Sequence, residues 1–459
     1  MIVPTVLVLP YPGQGHVNPM MKFSQNLVEH GCKVYFVNTD FNHKRVVSSM
    51  VEQQESLDES HSLLKLVSIP DGFRPEDDRT DFAKFFDAML STMPSMLQKK
   101  IEEIHLNGED RICCIVADLN MGWALNVGNK LGIKGAIFWP ATAAMFAMQC
   151  NIPTLIDNGI IDSDGVPITK KTFRISPTMP VMDTESLFWT GVPSSIILKK
   201  IFKSMMEFAQ TTNLTEWWLC NTTYELEPEV LSFVPKLLPV GPLLRSYDNK
   251  SVNTRSIGQF WEEDLSCMDW LDQQSHHSVL YVAFGSFSLL DQNQFKELAI
   301  GLDLTNRPFL WVVRQDSNCT NKIAYPNEFL GSKGKIVSWA PQQKVLSHPA
   351  IACFVSHCGW NSILEGLSNG LPFLCWPYFA DQFYNKKYIC DELKVGLGFD
   401  KDENGLVSRW EIKTKVDQLL SDENIRSKSL IEKKKVTCNI AEGSRSSENF
   451  SKFVKWLKE

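Results

Sequence analysis

The sequence predicts an α/β chain built as two doubly wound parallel sheets, and three observations carry that prediction. Its strand candidates are short, continuous apolar runs rather than alternating ones, as strands covered on both faces require. Each run gives way to a turn and then to an amphipathic helical pattern. The series also opens twice, at residues 5–10 and again at 279–284, both times into a glycine-containing turn.

In the first series, residues 5–10 lead into Pro12-Gly13-Gln14-Gly15-His16 and a helix starting near Asn18-Pro19, and further strands are expected at 33–37 and 112–117. Pro239-Val240-Gly241-Pro242 ends the apolar patterning, and a polar stretch follows, which places an interdomain linker at 246–262. The second series opens at 279–284 into Gly285-Ser286 and continues with strands at 309–313, 335–339, 352–356 and 371–376. The domains are therefore expected at 1–245 and 263–445. Phe450, Phe453, Val454 and Leu457 at helical spacing predict a terminal helix at 446–459 that packs back on the first domain.

Composition narrows the function. Of 459 residues, 44% are hydrophobic and 22% charged, and 46 basic against 53 acidic side chains leave a net charge of −7. That balance offers no electrostatic footprint for nucleic acid, and Lys433-Lys434-Lys435 reads as a solvated helix face. No apolar stretch approaches the ~20 residues of a membrane span, so no membrane insertion is expected. The apolar run at 6–9, flanked by Pro4 and Pro10, reads as a strand rather than a leader. Twelve cysteines at irregular spacing, without a C-x-x-C pair, suit reduced thiols in the cytoplasm.

Ligands of open α/β sheets bind beyond the carboxyl ends of the strands. His16 and Asp118 both lie there. An imidazole with an acidic partner suits a general base held in one tautomer, although each residue could equally serve as a helix cap. Gly13-Gln14-Gly15 resembles a dinucleotide turn, but Asn18 occupies the third glycine position. Asp162-Ser163-Asp164 fits a turn at Asp164-Gly165 better than a metal-binding D-x-D.

The second series is richer. Trp339 offers a flat face for a base. Ser356-His357-Cys358-Gly359-Trp360-Asn361-Ser362 runs from a strand into a helix, with donors for a phosphate and a glycine allowing close approach. Ser286 adds a hydroxyl near the same crevice. Glu365 reads either as half of a capping box with Ser362 or as an acceptor for ribose hydroxyls. Asp381-Gln382 suits vicinal sugar hydroxyls or a surface helix start.

Trp339-Ala340-Pro341-Gln342-Gln343, His348-Pro349, residues 354–362, Glu365-Gly366, Pro372 and Asp381-Gln382 closely resemble the 44-residue signature box of plant secondary-product UDP-glycosyltransferases. The resemblance extends to Pro12-Gly13-Gln14-Gly15-His16 and the Asp118 segment. It implies the GT-B fold, two Rossmann-like domains with parallel sheets facing a central cleft, with the acceptor in the first domain and the UDP-sugar in the second. It further implies that Trp339 stacks on uracil beside Ala340 and Gln342, and that Glu365 holds the ribose. Ser286, His357, Gly359, Asn361 and Ser362 would hold the diphosphate, and Trp360, Asp381 and Gln382 would face the sugar. Gln382 favours glucose over galactose. Ala352 and Ile363 replace the more usual glycine and threonine without removing a polar contact.

By the same resemblance, His16 deprotonates an acceptor hydroxyl, Asp118 orients it, and the α-linked donor is inverted to a β-glucoside without a metal or any cofactor beyond UDP-glucose. Thr142 would touch the sugar. Met121, Trp123, Met145, Phe146 and Trp189 could line the cleft for a small hydrophobic flavonoid, phenolic or terpenoid acceptor, or equally pack in the core. A monomeric, cytoplasmic enzyme is expected. A catalytically silent UDP-sugar-binding protein and a nucleotide-dependent oxidoreductase remain as alternatives.

Overall fold

In the computed structural model the described residues are 3–49, 63–74, 77, 79, 81–108, 110–192, 194–244, 257–288, 290–314 and 333–459. They form two compact units, Met1–Trp261 together with Asn439–Glu459, and Glu262–Cys438. Most of the expected linker at 246–262 lies outside the described residues.

The first unit is built on β1 (Thr5–Leu9), β2 (Lys33–Thr39), β3 (Leu64–Ile69), β4 (Ile112–Asp118) and β5 (Lys134–Trp139). After a short antiparallel pair, β6 (Thr172–Phe173) and β7 (Met182–Asp183), β8 (Trp217–Cys220) and β9 (Leu237–Pro239) complete the sheet. Its order is β3-β2-β1-β4-β5-β8-β9, and every pair is parallel. All five residues of β1 are buried, which explains its unbroken apolar sequence.

The second unit carries β10 (Val279–Ala283), β11 (Phe309–Val312), β12 (Gly334–Val337), β13 (Ile351–Ser356), β14 (Phe373–Cys375) and β15 (Gly396–Gly398). Their order is β12-β11-β10-β13-β14-β15, again all parallel. The expected strands are present, with ends displaced by one to two residues; β12 stops short of Trp339, which leaves that side chain on the following loop.

Both sheets start in the middle. The chain winds outward through β2 and β3, or β11 and β12, and then returns to pair β4 on β1, or β13 on β10. Each therefore has a topological switch point, where the carboxyl ends of two neighbouring strands send their loops in opposite directions and open a crevice. In register, Leu9 pairs with Ala117 at one, and Ala283 with Ser356 at the other.

The first helix runs over Gln14–Glu29, one turn earlier than the sequence suggested. Pro19 lies inside it rather than at its start; the proline gives up one intrahelical donor, and the turn before it stays helical. His16 thus belongs to the first turn. The final helix, Arg445–Lys458, belongs to the first unit, where Phe450 and Phe453 meet Phe23 at ring-centroid distances of 5.5 and 6.0 Å. Asn449 Nδ2 also donates to the Pro239 carbonyl at 2.9 Å.

Among the described residues the eleven cysteines are free, no helix is long and apolar enough to cross a membrane, and no group of three or more His, Cys, Asp or Glu could hold a metal ion. Asp162 accepts from the backbone N–H groups of Asp164 and Val166, so the Asp162-Ser163-Asp164 segment is a turn closed by its own carboxylate.

Candidate functional site

At the first unit's switch point, β1 leads to His16 and β4 ends in Asp118. His16 Nδ1 lies 2.6 Å from Asp118 Oδ2; the carboxylate is fully buried and the imidazole is 28% exposed. Both readings of Asp118 hold at once, because its other oxygen accepts from the Asn120 N–H at 2.9 Å and caps the short 3-10 turn Leu119–Met121. That second bond fixes the carboxylate, and the carboxylate fixes the ring. His16 itself makes no side-chain cap, since the helix is capped at Gly13 without one.

Aromatic side chains continue outward from this pair. The Tyr11 ring lies 5.0 Å from the His16 ring, Phe85 lies 5.7 Å from Tyr11, and Phe73 lies 6.1 Å from Phe85. All three are half-buried, and Tyr11 links the two phenylalanines to the His16 ring. Burial raises the Tyr11 hydroxyl above its usual range and the charge of Asp118 adds to the shift, which keeps the phenol neutral.

The residues expected to line an acceptor cleft are placed differently. Met121 and Phe146 are fully buried, Met145 and Trp189 are 1% exposed, and Trp123 is 6% exposed. Phe146 packs between Trp139 and Trp218, while Trp189 packs on Phe202 and donates its indole N–H to the Gly165 carbonyl. They are core side chains. Thr142, expected to touch a sugar, is fully buried and caps the helix Ala143–Cys150, where its hydroxyl oxygen accepts from the Met145 N–H. The same helix start is held by Glu227, whose carboxylate accepts from the N–H groups of Ala143 and Ala144 at 2.9 and 3.0 Å and from the Thr222 hydroxyl at 2.6 Å.

At the second unit's switch point, β10 leads to Gly285-Ser286 and β13 leads to His357. The helix Trp360–Asn369 begins here; its cap is Gly359, which contributes no side-chain bond, and no acidic residue lies in its first turn. An N-terminus so left uncapped favours an anion. Gly359 also makes room for a neighbour: a Cβ on it would stand 2.5 Å from His357 Nε2, and one on Gly285, at φ +69°, would stand 2.6 Å from the same atom. The two glycines thus enclose the imidazole edge.

Burial pushes His357 down to about 4, the Arg314 charge acts in the same direction, and a hydrogen bond at the Ala283 backbone opposes both. The ring is neutral at pH 7, and its single N–H is the one that donates to the Ala283 carbonyl. Arg314 holds the adjoining loop by donating to the carbonyls of Ser286 and Ser288.

The capping-box reading of Glu365 fails because Gly359, not Ser362, is the cap. Glu365 is 5% exposed, and its Oε2 accepts from Gln342 Nε2 at 2.7 Å; the same nitrogen donates to Ser362 Oγ at 2.9 Å. Gln342 Oε1 in turn accepts from the Tyr281 hydroxyl at 3.2 Å. Gln342 therefore ties together the two side chains expected on ribose and phosphate. Trp339 is half-buried, and its carbonyl accepts from the Asp264 N–H at 2.8 Å; Ala340 beside it is buried. Trp360 is 2% exposed, so its indole is core and only its backbone, at the helix start, can meet a ligand. Asn361 in the same turn is half-buried. Gln382 Oε1 accepts from the N–H groups of Tyr378 and Phe379, which leaves this amide a donor toward any sugar.

Sequence reasoning passed over Tyr281, Arg314 and Asn385. Tyr281 and Arg314 carried one signal, a phenol inside an apolar strand and a guanidinium just past a strand end. Asn385 carried none.

Comparison with known proteins gives the family and the fold. The family model described as "UDP-glucoronosyl and UDP-glucosyl transferase" matches residues 250–435. The chain is 42% identical to UDP-glycosyltransferase 83A1 of Arabidopsis thaliana over 459 residues, covering 99% of this chain and 97% of that one. A UDP-glucosyltransferase from Polygonum tinctorium capable of glucosylating indoxyl, solved with 3,4-dichloroaniline, superposes with a TM-score of 0.82 at 26% identity, over 100% of this chain and 99% of that one. UGT2 of Phytolacca americana, solved with UDP-2-fluoro-glucose and pterostilbene, gives 0.81 at 24% identity over the whole of both chains.

Proposed function

The chain belongs to the plant UDP-glycosyltransferases of the GT-B fold, enzymes that move sugar from a UDP-sugar to a small acceptor, and from that premise we propose a glucosyltransferase acting on an aromatic hydroxyl. The observation that carries the reading is the His16–Asp118 pair, 2.6 Å apart at a strand-end crevice. With Nδ1 engaged by the carboxylate, Nε2 takes the acceptor's proton as its oxygen attacks the anomeric carbon. The sugar–diphosphate bond breaks from the opposite face, UDP leaves with the bonding pair, and the product is a β-glucoside.

Moving a proton from a phenol of pKa ~10 to an imidazole of ~6.5 beforehand costs about 5 kcal/mol. Proton transfer therefore accompanies attack, and Asp118 stabilises the imidazolium as it forms. The growing charge on UDP meets the N–H groups at the start of helix Trp360–Asn369 and the Ser286 loop that Arg314 holds. Glu365, oriented by Gln342, takes the ribose hydroxyls, and Trp339 takes the uracil face. Asp381 and Gln382 take the sugar, with Gln382 supporting glucose.

The aromatic series Tyr11, Phe85 and Phe73 beside His16 supports a planar, aryl acceptor, held by offset or edge-on ring contacts. Acceptor rings in two relatives point the same way: indoxyl is glucosylated by one, and pterostilbene is bound in the other. The free cysteines support a reducing compartment such as the cytoplasm.

The test is UDP release from UDP-glucose in the presence of a chelator, with and without simple phenols, stilbenes and flavonoids. Acceptor-dependent release that falls ~10²- to 10⁴-fold in His16→Ala, with UDP binding retained, is expected. Release that is equal in both proteins contradicts the base assignment.

A further inference from the structure

Asp381 stands at the cap of the helix Gln382–Lys387, yet its side chain makes no cap bond. An aspartate there ordinarily accepts from the N–H groups of its own helix. Here Oδ2 accepts instead from Asn385 Nδ2 at 2.8 Å. Asn385 is fully buried, and the same nitrogen donates to the Cys358 carbonyl at 2.9 Å.

Cys358 is the other half of the observation. It is a non-glycine residue at φ +67°, a conformation that persists only where the surroundings over-determine it. Its N–H donates to Ser356 Oγ at 3.1 Å, so hydrogen bonds pin its N–H on one side and, through Asn385, its carbonyl on the other. The next residue is Gly359, cap of the helix whose N-terminus faces the diphosphate in the proposed reading.

We infer that Asn385 is a positioning residue for glycosyl transfer: one buried amide fixes the direction of the sugar-facing carboxylate and locks it to the turn that begins the phosphate-facing helix. The inference rests on the donor-site reading above. An amide suits the task because its two N–H groups diverge from a single planar nitrogen and can serve a carboxylate and a carbonyl together. Aspartate at this position has nearly the same shape but sets an acceptor against two acceptors. The helix Gln382–Lys387 continues directly into a π-helix, Tyr388–Leu393, a wound geometry that recurs at functional sites.

The experiment is a double-mutant cycle in the full chain, with Asn385→Ala, Asp381→Ala and the pair, reading kcat/KM for UDP-glucose and the affinity for UDP. Asn385→Ala is expected to lower kcat/KM by about 30-fold in the wild type and by no more than about threefold when Asp381 is already alanine. Additive losses, or an unchanged kcat/KM, overturn the inference, because a residue that only supports packing does not act through Asp381. Cooperative thermal unfolding reports folding. If Asn385→Ala does not unfold cooperatively, Asn385→Asp takes its place in the cycle with the same expectation. A wild-type chain that transfers no sugar sinks the glycosyltransferase reading itself; UDP-glucose affinity then replaces kcat/KM in the cycle, read by the same criterion.

Discussion

The two switch points share one backbone plan and surround their histidines differently. Each lies between a central strand and the strand added on its other flank, each receives loops from two carboxyl ends, and each presents a histidine. In the first unit the histidine is partly exposed and paired with a buried carboxylate. In the second, the imidazole is enclosed by two glycines beside an arginine and is held neutral. The partner decides the state: an adjacent carboxylate makes an imidazole ready to accept a proton, whereas burial beside a cation keeps it neutral. A parallel sheet supplies the location, and the residues just past its strands supply the reaction.

Exchanging those partners tests the comparison most severely. Asp118→Asn leaves the first unit's histidine without its charged partner and should lower kcat by ~10²- to 10³-fold while the affinity for UDP changes little; a matching fall in UDP affinity would mean that the two switch points do not divide the labour. Next, Gly285→Ala strains a residue at φ +69° and drives a Cβ into the His357 ring, so UDP affinity should fall by about 10-fold or more with the dyad untouched. Calorimetry on UDP alone reads that loss, and an unchanged Kd would show that His357 and its loop do not contact the diphosphate. Phe85→Ala removes the ring that packs on Tyr11, itself against His16, and should raise KM for a phenolic acceptor by about 10-fold, with little change for a small aliphatic alcohol. Equal shifts for both acceptors would move the aryl subsite elsewhere.

The smallest effect is on stability. His357 binds its proton in the folded state only near pH 4, whereas an unfolded histidine binds one near 6.5. Between those values the unfolded chain holds the extra proton, so stability is lost as pH falls from about 6.5 to 4, by at most ~3 kcal/mol for this group. His357→Asn should flatten that part of the thermal-unfolding profile relative to wild type. A profile with the same slope would assign the acid sensitivity to other groups.

The parallel sheets were legible because β1, β10 and β13 are buried along their whole length and must be apolar throughout. His16, Asp118, His357 and Glu365 drew attention because they lie past such runs, although His16, Asp118 and Glu365 also read as helix caps. Helix starts were less so. Pro19 imitates a first-turn proline, and Ser362 with Glu365 imitates a capping box, while the actual first turns begin at Gln14 and Trp360. Between the two readings of the acceptor residues, burial favours core packing for Met145 and Phe146, which lie in Ala143–Cys150, whose first seven residues are all buried. Asn385 carried no signal, and that of Tyr281 named no partner, because their contacts lie 27 and 61 positions away in the chain.

The central claim, that His16 removes the acceptor's proton during attack, is tested most directly by comparing wild type with His16→Ala across phenols whose pKa runs from about 10 down to about 7. A general base matters most when the acceptor holds its proton and least when solvent has already removed it. The account predicts a kcat loss near 10³-fold for the weakest acid that shrinks to about 10-fold or less for the strongest. A loss that stays constant across the series would contradict it and leave His16 a role in binding alone.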